Sequence, residues 1–243
     1  MWMLLHGFTG APTSWDAVGA RLKDGQSTMR PLLHGHGRDW RARMVKTFGG
    51  EVDRLLQLAE TMPRPRCLVG YSMGARLALA MHASRKLEFD AVVLIGVHPG
   101  LDDPAARASR RALDAAHAAD LRERGLPSFV DAWEGQPLFD SQRRLTAESR
   151  SMQRQIRLDH DADGLASSLD VLGLAQMPSY RAAIAELHPP PTLVAGRLDL
   201  KFASLARELT TRPVLVEDAG HNVVLEAPDA VAALLREAHP RTG

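Results

Sequence analysis

Arg66-Cys67-Leu68-Val69-Gly70-Tyr71-Ser72-Met73-Gly74-Ala75-Arg76-Leu77-Ala78-Leu79 is the stretch on which the fold turns. Cys67, Leu68 and Val69 form a short apolar run, and Leu77, Ala78, Leu79 and Met81 continue beyond it with helical spacing. Between them stands Gly70-x-Ser72-x-Gly74, the spacing of a nucleophile elbow when a strand leads in and a helix leads out. The turn is so tight that side chains at Gly70 and Gly74 would strike the neighbouring strand and helix. Ser72 is forced into a strained backbone conformation at the top of the sheet. A helix opening at Met73 aims its free N–H groups at the same point, so the Met73 N–H is a candidate donor to a developing oxyanion. An ordinary Gly-Ser-Gly turn could carry the same letters, and the rest of the chain has to decide.

The chain has 243 residues, enough to bury a substantial core as one α/β domain. With 45% hydrophobic and 24% charged residues and a formal net charge of +1, it lacks the positive field that collects phosphates, which argues against nucleic-acid binding. The single cysteine, Cys67, falls in a strand and reads as core, so no intrachain disulfide is expected. The apolar start, Met1 to Leu5, is too short for a leader or a membrane span, and the expectation is a cytoplasmic protein without membrane attachment.

Trp2 to Leu5 reads as a strand running into His6-Gly7-Phe8-Thr9-Gly10, whose Phe8 N–H is the expected second oxyanion donor. Ser14 is the expected N-cap of a helix through Trp15, Val18 and Leu22. A second strand is predicted over Thr28 to Leu33 despite Pro31, ending in His34-Gly35-His36-Gly37. The paired histidines invite a metal, but no carboxylate or cysteine lies near them, so the segment reads as a glycine-bent active-site loop and no metal site is expected. Val45 to Met62 has helical spacing and stops at Pro63. Ala91 to Ile95 is an unbroken apolar run, the pattern of a parallel strand covered on both faces.

From Gly100 to about Leu187 helix follows helix without a convincing strand, and the segment is crowded with arginine. It reads as a cap over the catalytic face, with most arginines solvated and two or three turned inward. Strands return at Thr192 to Ala195 and Pro213 to Glu217, followed by Asp199 and His221, and a helix over Pro228 to Ala238 closes the chain. The predicted fold is α/β: a mostly parallel sheet of about six strands flanked by helices, with a helical cap inserted before the last two strands. Residues 1–99 and 188–243 would form the core and residues 100–187 the cap.

Ser72, Asp199 and His221 occur in the order that this elbow requires, each leaving the carboxyl end of a strand. His221 would take the Ser72 proton while Asp199 fixes the imidazole tautomer. Asp218 is the rival acid, poorly placed because it stands so close to His221 in sequence.

These residues resemble the α/β-hydrolase superfamily, and within it the 2-succinyl-6-hydroxy-2,4-cyclohexadiene-1-carboxylate synthases of menaquinone biosynthesis. The phrases that carry the likeness are Leu4 to Gly10, Val69 to Arg76, Pro137-Leu138-Phe139, Arg157 to Ala166, Val194 to Phe202 and Ala219-Gly220-His221. The resemblance implies a lyase that eliminates pyruvate from a tricarboxylate, with Ser72 as base and the enolate held by Phe8 and Met73. It also implies a small anionic substrate, no cofactor, a monomer or weak homo-oligomer, and substrate contacts from Tyr71, Arg76, Arg110, Trp133 and Arg157. Two departures stand out: Leu33-His34-Gly35-His36-Gly37 replaces the family's Leu-Pro-Gly-His-Gly, and Val224 stands where a second histidine is usual. A carboxylesterase or C–C hydrolase acting through a Ser72 acyl-enzyme is the alternative, and a non-catalytic binding protein the reading from a different class.

Overall fold

The computed structural model describes residues 1–22 and 27–240. Residues 241–243, the end of the expected core segment, lie outside them. Strand β1 (Trp2–Leu5) enters the sheet at once, followed by a 3₁₀ turn (Pro12–Trp15) and a short helix α1 (Asp16–Gly19). Ser14 is not the N-cap expected of it: it sits inside the 3₁₀ turn, and its Oγ accepts the Ala11 N–H at 3.1 Å. Strand β2 covers only Thr28–Met29, because the chain from Arg30 onward leaves the ladder ahead of Pro31, which has no N–H to give.

Helix α2 (Phe48–Glu60) is shorter than the predicted 45–62, since Thr47 caps it by accepting the Gly50 N–H at 3.0 Å. Strand β3 (Cys67–Tyr71), helix α3 (Met73–Ala83) and strand β4 (Ala91–Ile95) follow. Next come α4 (Pro104–Glu134), broken at Gly125 with φ +77° ahead of Pro127, then α5 (Ala147–Leu158) and α6 (Ala162–Leu172). The chain closes with β5 (Thr192–Gly196), α7 (Leu200–Leu209), β6 (Val214–Val216), α8 (Val223–Glu226) and α9 (Pro228–Ala238).

Among the described residues six strands lie in the order β2-β1-β3-β4-β5-β6, and each pairing between them is parallel. Alternation along β1 sends Met3 and Leu5 into one apolar layer, with Leu55 of α2 and Leu77 of α3, and Trp2 and Leu4 into the other, with Val231 and Leu235 of α9. Both faces are covered, so the strand reads as a continuous apolar run, each buried leucine contributing about 1.5–3 kcal/mol. A third layer joins α4 to α6 through Leu121, Phe129, Leu165 and Leu169. The chain winds outward from β1 to β2 and then returns to β3 on the other side of β1. Loops leaving the carboxyl ends of β1 and β3 therefore part in opposite directions and open a crevice between them. That crevice is where the site forms.

Candidate active site

Ser72 stands at the end of β3 with φ +52° and ψ −109°. A non-glycine residue there stores about 1–3 kcal/mol of strain. Backbone bonds hold it: Ser72 N–H donates to Ile95 O at 2.8 Å and Arg76 N–H to Ser72 O at 3.1 Å. The flanking glycines are obligatory, since a Cβ at Gly70 would lie 2.3 Å from Gly74 O and one at Gly74 2.2 Å from Leu5 O.

His221, on the turn after β6, places Nε2 3.0 Å from Ser72 Oγ and Nδ1 2.7 Å from Asp199 Oδ2. Asp199 follows β5 and caps α7, its Oδ1 accepting the Phe202 N–H at 3.2 Å. One carboxylate oxygen is thus committed to the helix and the other to the imidazole. A carboxylate on Nδ1 keeps the proton there and leaves the Nε2 lone pair facing the hydroxyl. Gly96, with φ +61°, makes room for the ring, because a Cβ there would come within 3.2 Å of His221 Cε1. Asp218, the rival acid, is exposed.

Met73 is the first residue of α3, so its N–H has no partner within the helix. Phe8 lies across the crevice, packing edge-to-face on Trp133 at 5.2 Å between centroids. Above Ser72 opens a cavity of about 390 Å³, lined among others by Phe8, Tyr71, Met73, Arg76, Arg110, Trp133 and His221. Tyr71 sits with its ring 5.5 Å from that of His221, and burial pushes its hydroxyl pKa upward.

The cavity is cationic. Arg76 is 8% exposed and donates to Leu172 O at 2.8 Å. Burial, and then the nearby Arg110, lower its pKa to about 9 against the pull of Asp114. Arg110 is half-buried, its Nε 2.8 Å from Asp114 Oδ1. Arg157, expected among these groups, is not among the residues lining the cavity: its Nη1 pairs with Glu134 at 2.8 Å, its guanidinium lies 5.1 Å from the centroid of Phe139, and it faces a small adjoining recess that shares Phe8, Tyr71 and Phe139 with the cavity. It is also the one arginine of the helical segment that is buried outright.

The histidine loop differs from expectation too. Residues 33–37 are absent from the lining of the cavity; His34 and His36 are buried and hydrogen-bonded behind the His6–Gly10 loop. Among the described residues no group of three or more His, Cys, Asp or Glu side chains is arranged to hold a metal ion, and no helix is long and apolar enough to cross a membrane.

Sequence reasoning passed over Lys201, Phe202, His98, His117 and Asp114, all of which line the cavity. Lys201 and Phe202 carried a signal, their place just past Asp199; the Phe202 ring lies 4.6 Å from that of His221. His98 follows the end of β4, and its Nδ1 accepts the Gly100 N–H at 3.2 Å. Burial, followed by Lys201, Arg76, Arg110 and Arg181, holds its pKa down at about 4, so it stands neutral among cations.

The family model described as "Alpha/beta hydrolase family" matches residues 3–234. The chain is 34% identical to the 2-succinyl-6-hydroxy-2,4-cyclohexadiene-1-carboxylate synthase of Enterobacter sp. (strain 638), over 97% of this chain and 90% of that protein. It is 32% identical to the putative synthase of the same name from Bacillus subtilis (strain 168), over 96% of this chain and 88% of that one. A solved structure of MenH from S. aureus superposes with a TM-score of 0.90 at 27% identity, covering 98% of this chain and 93% of the other. A thermophilic esterase from Thermogutta terrifontis superposes with a TM-score of 0.77 at 25% identity, covering 97% and 88%.

Proposed function

We propose, from the premise that this chain belongs to the alpha/beta hydrolase family of enzymes, that it acts as a lyase in menaquinone biosynthesis. It would eliminate pyruvate from 2-succinyl-5-enolpyruvyl-6-hydroxy-3-cyclohexene-1-carboxylate to give 2-succinyl-6-hydroxy-2,4-cyclohexadiene-1-carboxylate. His221 withdraws the Ser72 proton across the 3.0 Å contact, and Ser72 Oγ removes the acidic proton beside the succinyl ketone. The charge moves to the ketone oxygen, held by the Phe8 and Met73 N–H groups. Collapse of the enolate breaks the bond between the ring carbon and the enolpyruvyl oxygen, and the leaving enolate takes the proton held by His221 to become pyruvate. Asp199 offsets the imidazolium.

The observation that carries the reading is Arg76, a buried guanidinium whose hydrogen bond in the cavity goes to a carbonyl rather than a carboxylate. Such a charge wants an anion, and guanidinium recognises carboxylates bidentately. Arg110 and Lys201 supply further positive charge for a substrate with three carboxylates, and Trp133 and Tyr71 supply apolar walls. Residues 100–187 act as the cap on this reading. The enzyme works in the cytoplasm without a cofactor, as a monomer or weak homo-oligomer.

The test is pyruvate release from the authentic substrate against a Ser72→Ala control; release no greater than the control ends the lyase reading. The hydroxyl–imidazole contact and the esterase likeness favour a second reading, ester or C–C bond hydrolysis through a Ser72 acyl-enzyme. Burst turnover of p-nitrophenyl acetate with a trapped acyl group would select it.

A further inference from the structure

Three buried imidazoles surround the loop that carries Phe8. His6 Nδ1–H donates to Gly7 O at 2.8 Å, while its Nε2 accepts the Leu33 N–H at 3.2 Å. His36 Nε2 accepts the Thr9 N–H at 3.2 Å, and its Nδ1–H donates to His34 O at 3.0 Å. His160, between α5 and α6, accepts the Gly37 N–H on Nδ1 at 2.9 Å and donates from Nε2 to Thr9 O at 3.2 Å. The rings of His36 and His160 meet edge-to-face, 5.3 Å apart. In each ring one nitrogen must accept from a backbone N–H, so each needs a bare lone pair there and carries its proton on the other nitrogen.

Thr9 is 1% exposed and has φ +60°, a conformation that a β-branched residue does not keep unaided. Its N–H and its C=O are both taken by imidazoles from elsewhere in the chain. One peptide earlier, Gly7 O accepts from both His6 and Gly10 N, the latter at 3.0 Å. A trans peptide is planar, so fixing the direction of Gly7 O fixes the opposite direction of the Phe8 N–H. The loop's donor is aimed by what grips the peptides on either side of it.

We infer that His160 is a positioning residue: from the helical segment between β4 and β5 it reaches back to Thr9, and with His36 and His6 it sets the Phe8 N–H at the angle the oxyanion requires. The segment that roofs the cavity and the donor beneath it are then coupled, because seating the roof completes the grip on Thr9. This rests on the assignment of Phe8 as an oxyanion donor, common to both readings of the reaction.

His160→Leu and His160→Gln separate aim from fold. Glutamine retains an N–H that can reach Thr9 O; leucine does not. Misplacing a preorganised donor costs about 10- to 100-fold in rate, so the leucine variant should lose about that much kcat with KM within about twofold, and glutamine should recover most of the loss. The assay is pyruvate release, or p-nitrophenyl acetate hydrolysis if the wild type releases none, so that failure of the lyase reading is not mistaken for failure of this one. A folded leucine variant with kcat within twofold of wild type overturns the proposal, as do equal losses of kcat in both variants alongside equal losses of Tm. Nitrogen-15 spectra of the wild-type histidine rings give a readout independent of either variant: His160 should carry its proton on Nε2 at pH 7, and a proton on Nδ1 overturns the assignment.

Discussion

Replacing Arg76 by methionine separates what the site costs from what it does. This guanidinium is 8% exposed and held down to about pKa 9, chiefly by burial. Its ordinary value lies well above that, so about three decades of proton affinity are given up, on the order of 4 kcal/mol. The folded state holds the proton less tightly than the unfolded one. The penalty is therefore present in full at pH 7 and relieved only as pH rises through 9. Methionine has similar length and no charge; against its gain stands Leu172 O, which loses the 2.8 Å donor at a cost of about 1–3 kcal/mol. Arg76→Met should then be about 1–3 kcal/mol more stable, whereas breaking a paired buried charge would cost about 3–5 kcal/mol. Catalysis moves the other way. A charge-assisted contact to a substrate carboxylate is worth about 1.5–3 kcal/mol, so kcat/KM should fall by about 10- to 150-fold. Urea unfolding at pH 7 and a coupled pyruvate assay measure the two terms on one preparation. An unchanged kcat/KM would put Arg76 out of reach of the substrate, and a stability loss above about 3 kcal/mol would make it a structural member instead.

Asp199→Asn keeps the packing but offers His221 an amide across the 2.7 Å contact, which admits the wrong tautomer; kcat should drop by up to about 10⁴-fold while circular dichroism stays native, and a drop below tenfold would remove Asp199 from the relay. Acid should unfold the protein through its buried histidines. Burial lowers His6 to about pKa 3, lowers His36 well below its ordinary range and lowers His160 as well. The unfolded chain takes up protons near pH 6.5 that the folded one refuses, so stability is full above that value and declines as pH falls toward 3. His6 alone should remove about 2 kcal/mol between pH 7 and pH 5, and a urea midpoint that stays flat over that range contradicts the neutral assignments.

The elbow was legible because its physics is local. Gly70, Ser72 and Gly74 lie within five residues, and the approach of Gly74 to Leu5 O follows from packing a helix onto the strand that feeds it. The parallel strands were legible because β1, β3 and β4 are apolar on both faces and leave no polar alternation to misread. β2 was overdrawn, since apolar letters at Leu32 and Leu33 outweighed the missing donor at Pro31. Ser14 was misplaced by the same kind of error: a hydroxyl two residues after Pro12 closes the turn from inside rather than capping a helix from outside.

Local pattern by itself determined the order of strands and helices, the strained serine and the candidate partners Asp199 and His221, because each stands at a strand end that short-range sequence marks. Three-dimensional packing alone decided which charges face the cavity. Arg157 pairs through Nη1 with Glu134 on α4, while Arg76 in the cavity meets a carbonyl. It alone also brought together His6, His36 and His160, drawn from three separate parts of the chain onto one loop. The reason is range: backbone propensity and apolar periodicity act over a few residues, whereas the pairing of a buried polar group depends on which distant segment the fold sets beside it.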